Sequence, residues 1–264
     1  MRKLILTVLA LLLAACAGRS GRARDPGLRD TSPYEFHRAL ALTLMRTDQP
    51  SQAVAHIRAL QKLRPTSAEP FRLMGRAYAE LGVTTQARMM YERAVTLDPK
   101  DAGTHAALGV LLAGDGQAAA AERAHRRAIA LAPTNPAYLN NLGFSLYVQG
   151  RDAEAIASYE QALVFDAGLR RVHLNLGFAY GHAGDLGRAT THFELAGTRG
   201  QLDNNLGLVF EARRDLEQAY QRYLSAVSIE PELDEARANL ARVCAALGRP
   251  VPALPAPASN GGEP

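Results

Sequence analysis

A repeat of 34 residues runs through most of this chain and constrains its fold more than any other feature. In the unit that starts at Ala68, large apolar residues occupy positions 4, 7, 11 and 24, and small residues occupy positions 8, 20 and 27. Proline, Pro99, stands at position 32. The pattern recurs from Ala102, Pro136 and Arg170, and more weakly from Tyr34. A fixed period of this length is typical of proteins that stack one small structural unit many times.

The pattern predicts two antiparallel helices in each unit. Small residues at positions 8, 20 and 27 allow the helix backbones to approach, and the large apolar residues fill the remaining space. Proline ends the second helix because it lacks the backbone N–H group. No unit buries its apolar face alone, so the units must stack. We expect the unit at Ala102 to be the weakest, because its second helix is rich in alanine and has His125 where an aromatic residue is usual.

The period changes once. The Leu206-Gly207 pair fits a unit that starts at Gly200, which is 30 residues after Arg170 instead of 34. Four residues make about one helical turn, so their loss shortens a helix without rotating its apolar face far. Gly197 and Gly200 are suited to ending the shortened helix early. Residues 234–248 then form a single amphipathic helix that covers the last unit.

The recurring residues resemble the tetratricopeptide-repeat (TPR) consensus. The resemblance implies an all-α TPR superhelical solenoid of antiparallel helix pairs over residues 34–248, with repeats starting near residues 34, 68, 102, 136, 170 and 200. A C-terminal capping helix occupies residues 234–248. Proteins of this family are scaffolds for protein–protein interaction, so we expect no enzymatic activity.

The N-terminus resembles a bacterial lipoprotein signal. Arg2 and Lys3 precede an apolar run over residues 4–15, which is shorter than the about 20 residues of a transmembrane helix. The run ends in Leu-Ala-Ala-Cys at residues 13–16, as in a lipobox. The resemblance implies removal of residues 1–15 as a signal peptide and attachment of a diacylglyceryl group and an acyl chain such as palmitate at Cys16. The alternative is an ordinary signal peptide with a chance cysteine at the cleavage site.

A lipidated Cys16 would anchor the protein in the cell envelope, because three acyl chains hold a protein stably on a membrane. Ala17 follows where an aspartate would signal retention in the inner membrane, which favours the periplasmic face of the outer membrane. Residues 16–33 are then a lipidated tether, and residues 249–264, rich in Pro and Ala, are predicted to be a disordered tail.

Charge and motif content exclude several classes of function. The net charge of +4 falls to about +2 (4 − 2) without Arg2 and Lys3, too little for a nucleic-acid-binding surface. The sequence has no phosphate-binding loop, no His-Glu-x-x-His, no Cys-x-x-Cys and no nucleophile elbow. We therefore expect no cofactor and no small-molecule substrate.

The remaining reactive residue types are predicted to be structural. If Cys16 carries lipid, Cys244 has no disulfide partner and acts as a small apolar residue. His37, His105 and His173 share position 4 of their units. That shared place indicates packing positions, so we expect no metal site.

The concave groove is the predicted partner site. In TPR arrays the first helix of each unit lines this groove. Aromatic rings there would bury an apolar side chain of a bound peptide, and side-chain amides would form hydrogen bonds with its extended backbone. Position-6 asparagines also serve structural roles, so the aromatic residues carry more weight. We expect Phe144 and Phe178 to support little core packing. The candidate residues are Phe144, Tyr147, Phe178, Asn140, Asn141, Asn175, Asn204, Asn205 and Leu208.

Together, the lipobox, the TPR array and the shortened unit before Asn-Asn-Leu-Gly at residues 204–207 resemble the TadD family, the TPR lipoproteins of Tad (Flp-type) pilus assembly. The resemblance extends more weakly to the pilotin family of type IV pili, which helps secretin subunits to assemble in the outer membrane. It implies an assembly factor for an envelope secretion system or pilus machine, with a secretin or another envelope component as its partner. A scaffold for cell-wall enzymes remains an alternative.

Overall fold

The computed structural model describes residues 32–253. The predicted signal peptide, Cys16, most of the tether and most of the C-terminal tail lie outside the described residues. Within this range the chain forms thirteen α-helices and no strand. The helices are α1 (Pro33–Arg46), α2 (Pro50–Leu63), α3 (Ala68–Glu80), α4 (Thr84–Leu97), α5 (Ala102–Gly114), α6 (Ala118–Leu131), α7 (Pro136–Tyr147), α8 (Asp152–Phe165), α9 (Arg170–Ala183), α10 (Leu186–Ala196), α11 (Arg199–Ala212), α12 (Leu216–Ile229) and α13 (Asp234–Leu247).

Consecutive helices pack in pairs, from α1 with α2 to α11 with α12, and α13 packs on α12. Each pair also packs on the next along the chain. The prediction of an all-α solenoid of helix pairs with a C-terminal capping helix is therefore confirmed. None of the helices between residues 32 and 253 is long and apolar enough to cross a lipid bilayer.

In each of five helix pairs, a glycine of the first helix packs against an aromatic or imidazole ring of the second. A Cβ atom added to Gly143 would lie 2.6 Å from Cε1 of Tyr159, closer than real Cβ contacts come. The Tyr159 ring is fully buried. The equivalent contacts are Gly75 with Tyr91, Gly109 with His125, Gly177 with Phe193 and Gly207 with Tyr223. Only glycine allows the two helices to approach this closely.

The third pair, α5 and α6, has a small apolar core. The buried apolar cluster here consists of Leu112, Ala121 and Ala124. His125 occupies the ring position and is 1% exposed. Its Nδ1 finds no hydrogen-bond partner among the described residues, and burial lowers the pKa of His125 to about 4. An unpaired buried imidazole nitrogen costs free energy of folding, which agrees with the expected weakness of this unit.

The change of period shortens α10. This helix has 11 residues, whereas the second helices of the other five pairs have 14. Gly197 follows its last residue, as expected. Gly200 does not end the helix; it lies in the first turn of α11, where its N–H donates to Glu230 Oε1 at 3.1 Å. A Cβ at Gly200 would lie 2.7 Å from the Glu230 side chain, so this glycine permits close packing instead.

Replacing a glycine at a ring contact should destabilise the solenoid. Gly143→Ala forces a methyl group against the buried Tyr159 ring and should cost about 1–3 kcal/mol of unfolding free energy. Gly114→Ala makes the same chemical change in α5, where nothing lies within 4 Å of the added Cβ, so it should be neutral or slightly stabilising. Urea unfolding followed by circular dichroism measures both. Equal effects would show that the ring contact does not require glycine.

Acidification should destabilise the chain through His125. Its pKa is about 4 in the folded protein against an ordinary value of 6.5, so only the unfolded chain gains a proton between these values. Stability therefore falls as the pH drops from 6.5 to 4, by about 3 kcal/mol from this residue. His125→Phe removes the titratable imidazole and keeps an aromatic ring at this position, like that of Phe193. Urea unfolding of the wild-type and variant proteins at several pH values measures the difference. If the two unfolding free energies changed with pH in parallel, His125 would not be the source of the pH dependence.

Candidate functional site

The first helices of the pairs form the inner face of the solenoid. Successive first helices from α3 to α13 contact one another. Between second helices of neighbouring pairs, no comparable contact occurs in the described part of the chain. A stack that is closer on one side curves towards that side. The residues that project from the first helices therefore line a concave groove.

Polar pairs join the first helices along this face. Asn175 Nδ2 donates to Asn140 Oδ1 at 2.8 Å, and Asn239 Nδ2 donates to Asn204 Oδ1 at 2.8 Å. Each bond connects one pair of helices to the next. Further along the same face, ion pairs take this role, with Arg38 Nε 2.6 Å from Glu69 Oε1 and Arg242 Nη2 2.7 Å from Glu211 Oε2.

The asparagine pairs correct part of the predicted site. Asn140 and Asn204 are buried, and their carbonyl oxygens are occupied by the next repeat. They hold neighbouring repeats together and do not present those oxygens to a partner. Asn175 is half-buried and donates the bond to Asn140. Asn141 and Asn205, the next residues along their helices, are half-buried.

An apolar cavity lies between α7, α9 and α11. It has a volume of about 230 Å³, and three of the predicted groove residues, Tyr147, Phe178 and Leu208, form its wall. The Phe178 ring packs edge-on against the buried Phe193 ring, with 5.0 Å between centroids. The Phe178 side chain therefore packs in the core and also lines the groove, which contradicts the expectation that it supports little core packing. The other lining residues are His182, Val209, Ala212 and Arg213.

Phe144 lies in the same groove but outside this cavity. Its side chain is 50% exposed, at position 9 of its repeat. Val110 holds the same position in the preceding repeat and is also exposed. Phe144 and Val110 thus extend the apolar surface of the groove from the cavity towards α5.

The rim of the cavity is polar. His182 Nδ1 lies 2.6 Å from Asp152 Oδ2, and the His182 ring packs edge-on against Tyr147 with 5.9 Å between centroids. Arg213 Nη1 donates to the Gly181 carbonyl oxygen at 3.4 Å. Burial and the Asp152 carboxylate raise the pKa of the Tyr147 hydroxyl. The cavity thus combines an apolar wall with hydrogen-bonding groups at its edge.

Four lining residues of the cavity could not be predicted from the repeat pattern, because they meet only where α9 packs against α11. Gly181 takes position 12, where the preceding repeat has Tyr147. A Cβ on Gly181 would lie 2.7 Å from Val209 Cγ2, so α9 and α11 are in close contact there. In the sequence, Gly181 in place of a tyrosine was the signal that could have indicated this close contact. It brings His182 of α9 and Arg213 after α11 to one cavity.

A second, more open cavity lies at the N-terminal end of the groove. It has a volume of about 490 Å³ and is lined by Leu42, Thr43, Met45, Arg46 and Arg76 of α1 and α3. Arg76 is paired with Glu80 at 2.8 Å. The two arginines make this end polar, in contrast to the cavity at α7, α9 and α11.

No cluster of three or more His, Cys, Asp or Glu side chains that could hold a metal ion occurs in residues 32–253. Cys244 is buried in the C-terminal core, as expected for a small apolar residue.

Comparison with known proteins identifies the repeats. Tetratricopeptide-repeat family models match residues 38–102, residues 136–168, and residues 170–194 with 235–255. No curated protein matches the sequence.

Several solved structures share the fold. PilW, a widely conserved type IV pilus biogenesis factor, has a TM-score of 0.68 and 21% identity, covering 80% of this chain and 99% of PilW. PilF of Pseudomonas aeruginosa has a TM-score of 0.64 and 17% identity, covering 80% of this chain and 97% of PilF. YrrB, a TPR protein with an unusual peptide-binding site, has a TM-score of 0.53 and 16% identity, covering 68% of this chain and 95% of YrrB. At these identities the similarity shows the fold alone.

The two groove phenylalanines should differ in their effect on stability. Phe144→Ala should leave the melting temperature almost unchanged, because half of the ring is exposed and it packs outside the cavity. Phe178→Ala should cost about 2 kcal/mol, because it removes an aromatic contact with Phe193 and half-buried apolar surface. Thermal unfolding by circular dichroism measures both variants. Equal losses would place Phe144 in the core as well.

Proposed function

We propose that this chain, which is built of tetratricopeptide repeats, is a scaffold that binds an apolar segment of another protein in the groove of α7, α9 and α11. The observation that carries the proposal is the cavity walled by Tyr147, Phe178 and Leu208. Interface hot spots are commonly aromatic side chains in desolvated pockets. The exposed Phe144 beside this cavity offers a second apolar contact, so the bound segment would run along the groove.

The partner is a component of an envelope-spanning secretion or pilus machine, with a secretin or another outer-membrane assembly component as our first choice. The sequence features shared with the TadD family support a Tad-like pilus. The similarity to PilW over 80% of this chain supports the second candidate, a pilotin of the type IV pilus. In both cases the scaffold accompanies a partner during assembly and catalyses no reaction.

The scaffold acts at the membrane, anchored by lipid on Cys16 at the periplasmic face of the outer membrane. The lipobox at residues 13–16 is the support for this part of the proposal. The tether after Cys16 would let the groove meet partners while they are close to the membrane.

Site-specific photocrosslinking in living cells tests the partner. A photoreactive phenylalanine analogue at Phe144 should capture the partner, which mass spectrometry then identifies. The matched control carries the analogue at Val164 of α8, a second-helix residue that is 80% exposed and does not face the groove. Phe178→Ala should weaken capture from position 144 by more than about tenfold, as loss of a hot spot of about 2 kcal/mol or more implies.

The same experiment in the Cys16→Ser background tests the anchor. Without lipid, the chain should leave the outer-membrane fraction, and crosslinks to an outer-membrane partner should fall. Capture of a secretin or a pilus component supports the proposal, whereas capture of a cell-wall enzyme would replace it by the cell-wall alternative. Equal capture from both positions would exclude the groove. Unchanged fractionation of the Cys16→Ser chain would exclude the lipid anchor.

A further inference from the structure

Two histidine pairs occupy equivalent places in the first and fifth repeats. His37 Nδ1 lies 3.0 Å from His56 Nδ1, and His173 Nδ1 lies 3.0 Å from His192 Nδ1. In each pair one histidine is at position 4 of the first helix and the other at position 23, on the second helix. The chain has seven histidines, so more than half of them lie in these two pairs. The same geometry at two places calls for a common chemical role.

We infer that each pair is a binding site for a divalent transition-metal ion of the copper or nickel type. Two nitrogens 3.0 Å apart subtend an angle of about 95° at a metal held about 2.0–2.1 Å from each of them. That angle suits two neighbouring ligands of a square-planar or octahedral ion, and imidazole is a good ligand for Cu²⁺ and Ni²⁺. A tetrahedral Zn²⁺ ion needs a wider angle, about 109°. Water would complete the coordination.

The second site has the outer contact that orients a metal ligand. His173 Nε2 lies 3.0 Å from the Ala167 carbonyl oxygen. Because a carbonyl oxygen only accepts, Nε2 must carry the proton. Neutral His173 therefore presents an unprotonated Nδ1 to His192. A ligating histidine almost always donates its other N–H in this way, which fixes the tautomer and the ring orientation.

The partner imidazoles also suit a metal. Burial and the neighbouring His173 lower the pKa of His192, and burial and His37 lower the pKa of His56. Both shifts favour the neutral imidazole, which is the form that binds a metal. In the metal-free chain, a single N–H of His192 must bridge the two Nδ1 atoms of its pair. A metal ion would take the place of this bridging proton, which would move to Nε2 of His192.

The position-4 histidines do not pair with one another, which is why the repeat pattern alone predicts no metal site. Their partners instead lie 19 residues later on the second helix of the same repeat. The third repeat provides an internal control. His105 keeps position 4 and a contact of 3.1 Å to the Pro99 carbonyl oxygen, but position 23 is Ala124.

A bound ion would join α1 to α2 and α9 to α10, and it would stabilise the folded chain because the sites do not exist in the unfolded one. None of the four histidines lines the apolar cavity. Metal binding is therefore independent of the proposed partner site, and a failure of either proposal leaves the other standing.

Copper titration followed by electron paramagnetic resonance tests the inference. The full chain carries Cys16→Ser, so that this thiol takes no copper, and is studied at neutral pH. It should bind two equivalents of Cu²⁺ with coupling to two nitrogens in each, and its melting temperature should rise. His56→Ala and His192→Ala should each lose one equivalent, and the double variant should lose both. Ni²⁺ should compete, and Zn²⁺ should bind more weakly.

Four further variants make the result decisive. His105→Gln should keep both equivalents, because His105 has no partner histidine. Ala124→His should add a third equivalent by completing the pair. His56→Asn and His192→Asn repeat the losses with side chains that can still hydrogen-bond to the remaining imidazole, and circular dichroism verifies that each variant folds. Copper binding that survives the double variant, or binding without nitrogen coupling, would overturn the inference and leave two hydrogen-bonded imidazole pairs.

Discussion

The contact between a first-helix glycine and a second-helix ring sets the geometry of the solenoid. Where Gly143 meets Tyr159, the absence of a single Cβ allows the two helices to approach within van der Waals distance of a flat ring. Five repeats use this contact, and the α1/α2 pair has Ala41 and Ile57 at the corresponding positions, both fully buried. Every pair then has similar dimensions and can stack on the next. The groove is a consequence of that stacking, because within residues 32–253 the first helices pack on one another and the second helices do not.

The same contact also sets the local differences in stability. His125 fills the ring position in the third repeat but adds a buried polar nitrogen without a partner among the described residues. The core around it is small. In a repeat array, each unit depends on itself and on its neighbours, so a weak unit in the interior limits the coupling between the two ends. The larger apolar clusters flank this repeat, with one over α1–α4 and another over α7–α11.

A close contact between α9 and α11 shapes the apolar cavity of the groove. Gly181 has no side chain, which allows α9 to pack closely against Val209 of α11. Tyr147, Phe178 and Leu208 then share one cavity. The cavity between α1 and α3 is lined partly by arginines, so the two parts of the groove present different surfaces.

The amino-acid sequence alone determined the helix pairs, the glycine and ring positions, the change of period and the capping helix. All of these depend on spacings within one unit, and helical periodicity is a local property. Only the tertiary structure decided which side chains from different helices meet. It showed that Asn140 and Asn204 are bonded to the next repeat, that Phe178 packs against Phe193, and that four histidines form two pairs. Those contacts depend on the distance and rotation between packed helices, which a single sequence does not encode in any local pattern.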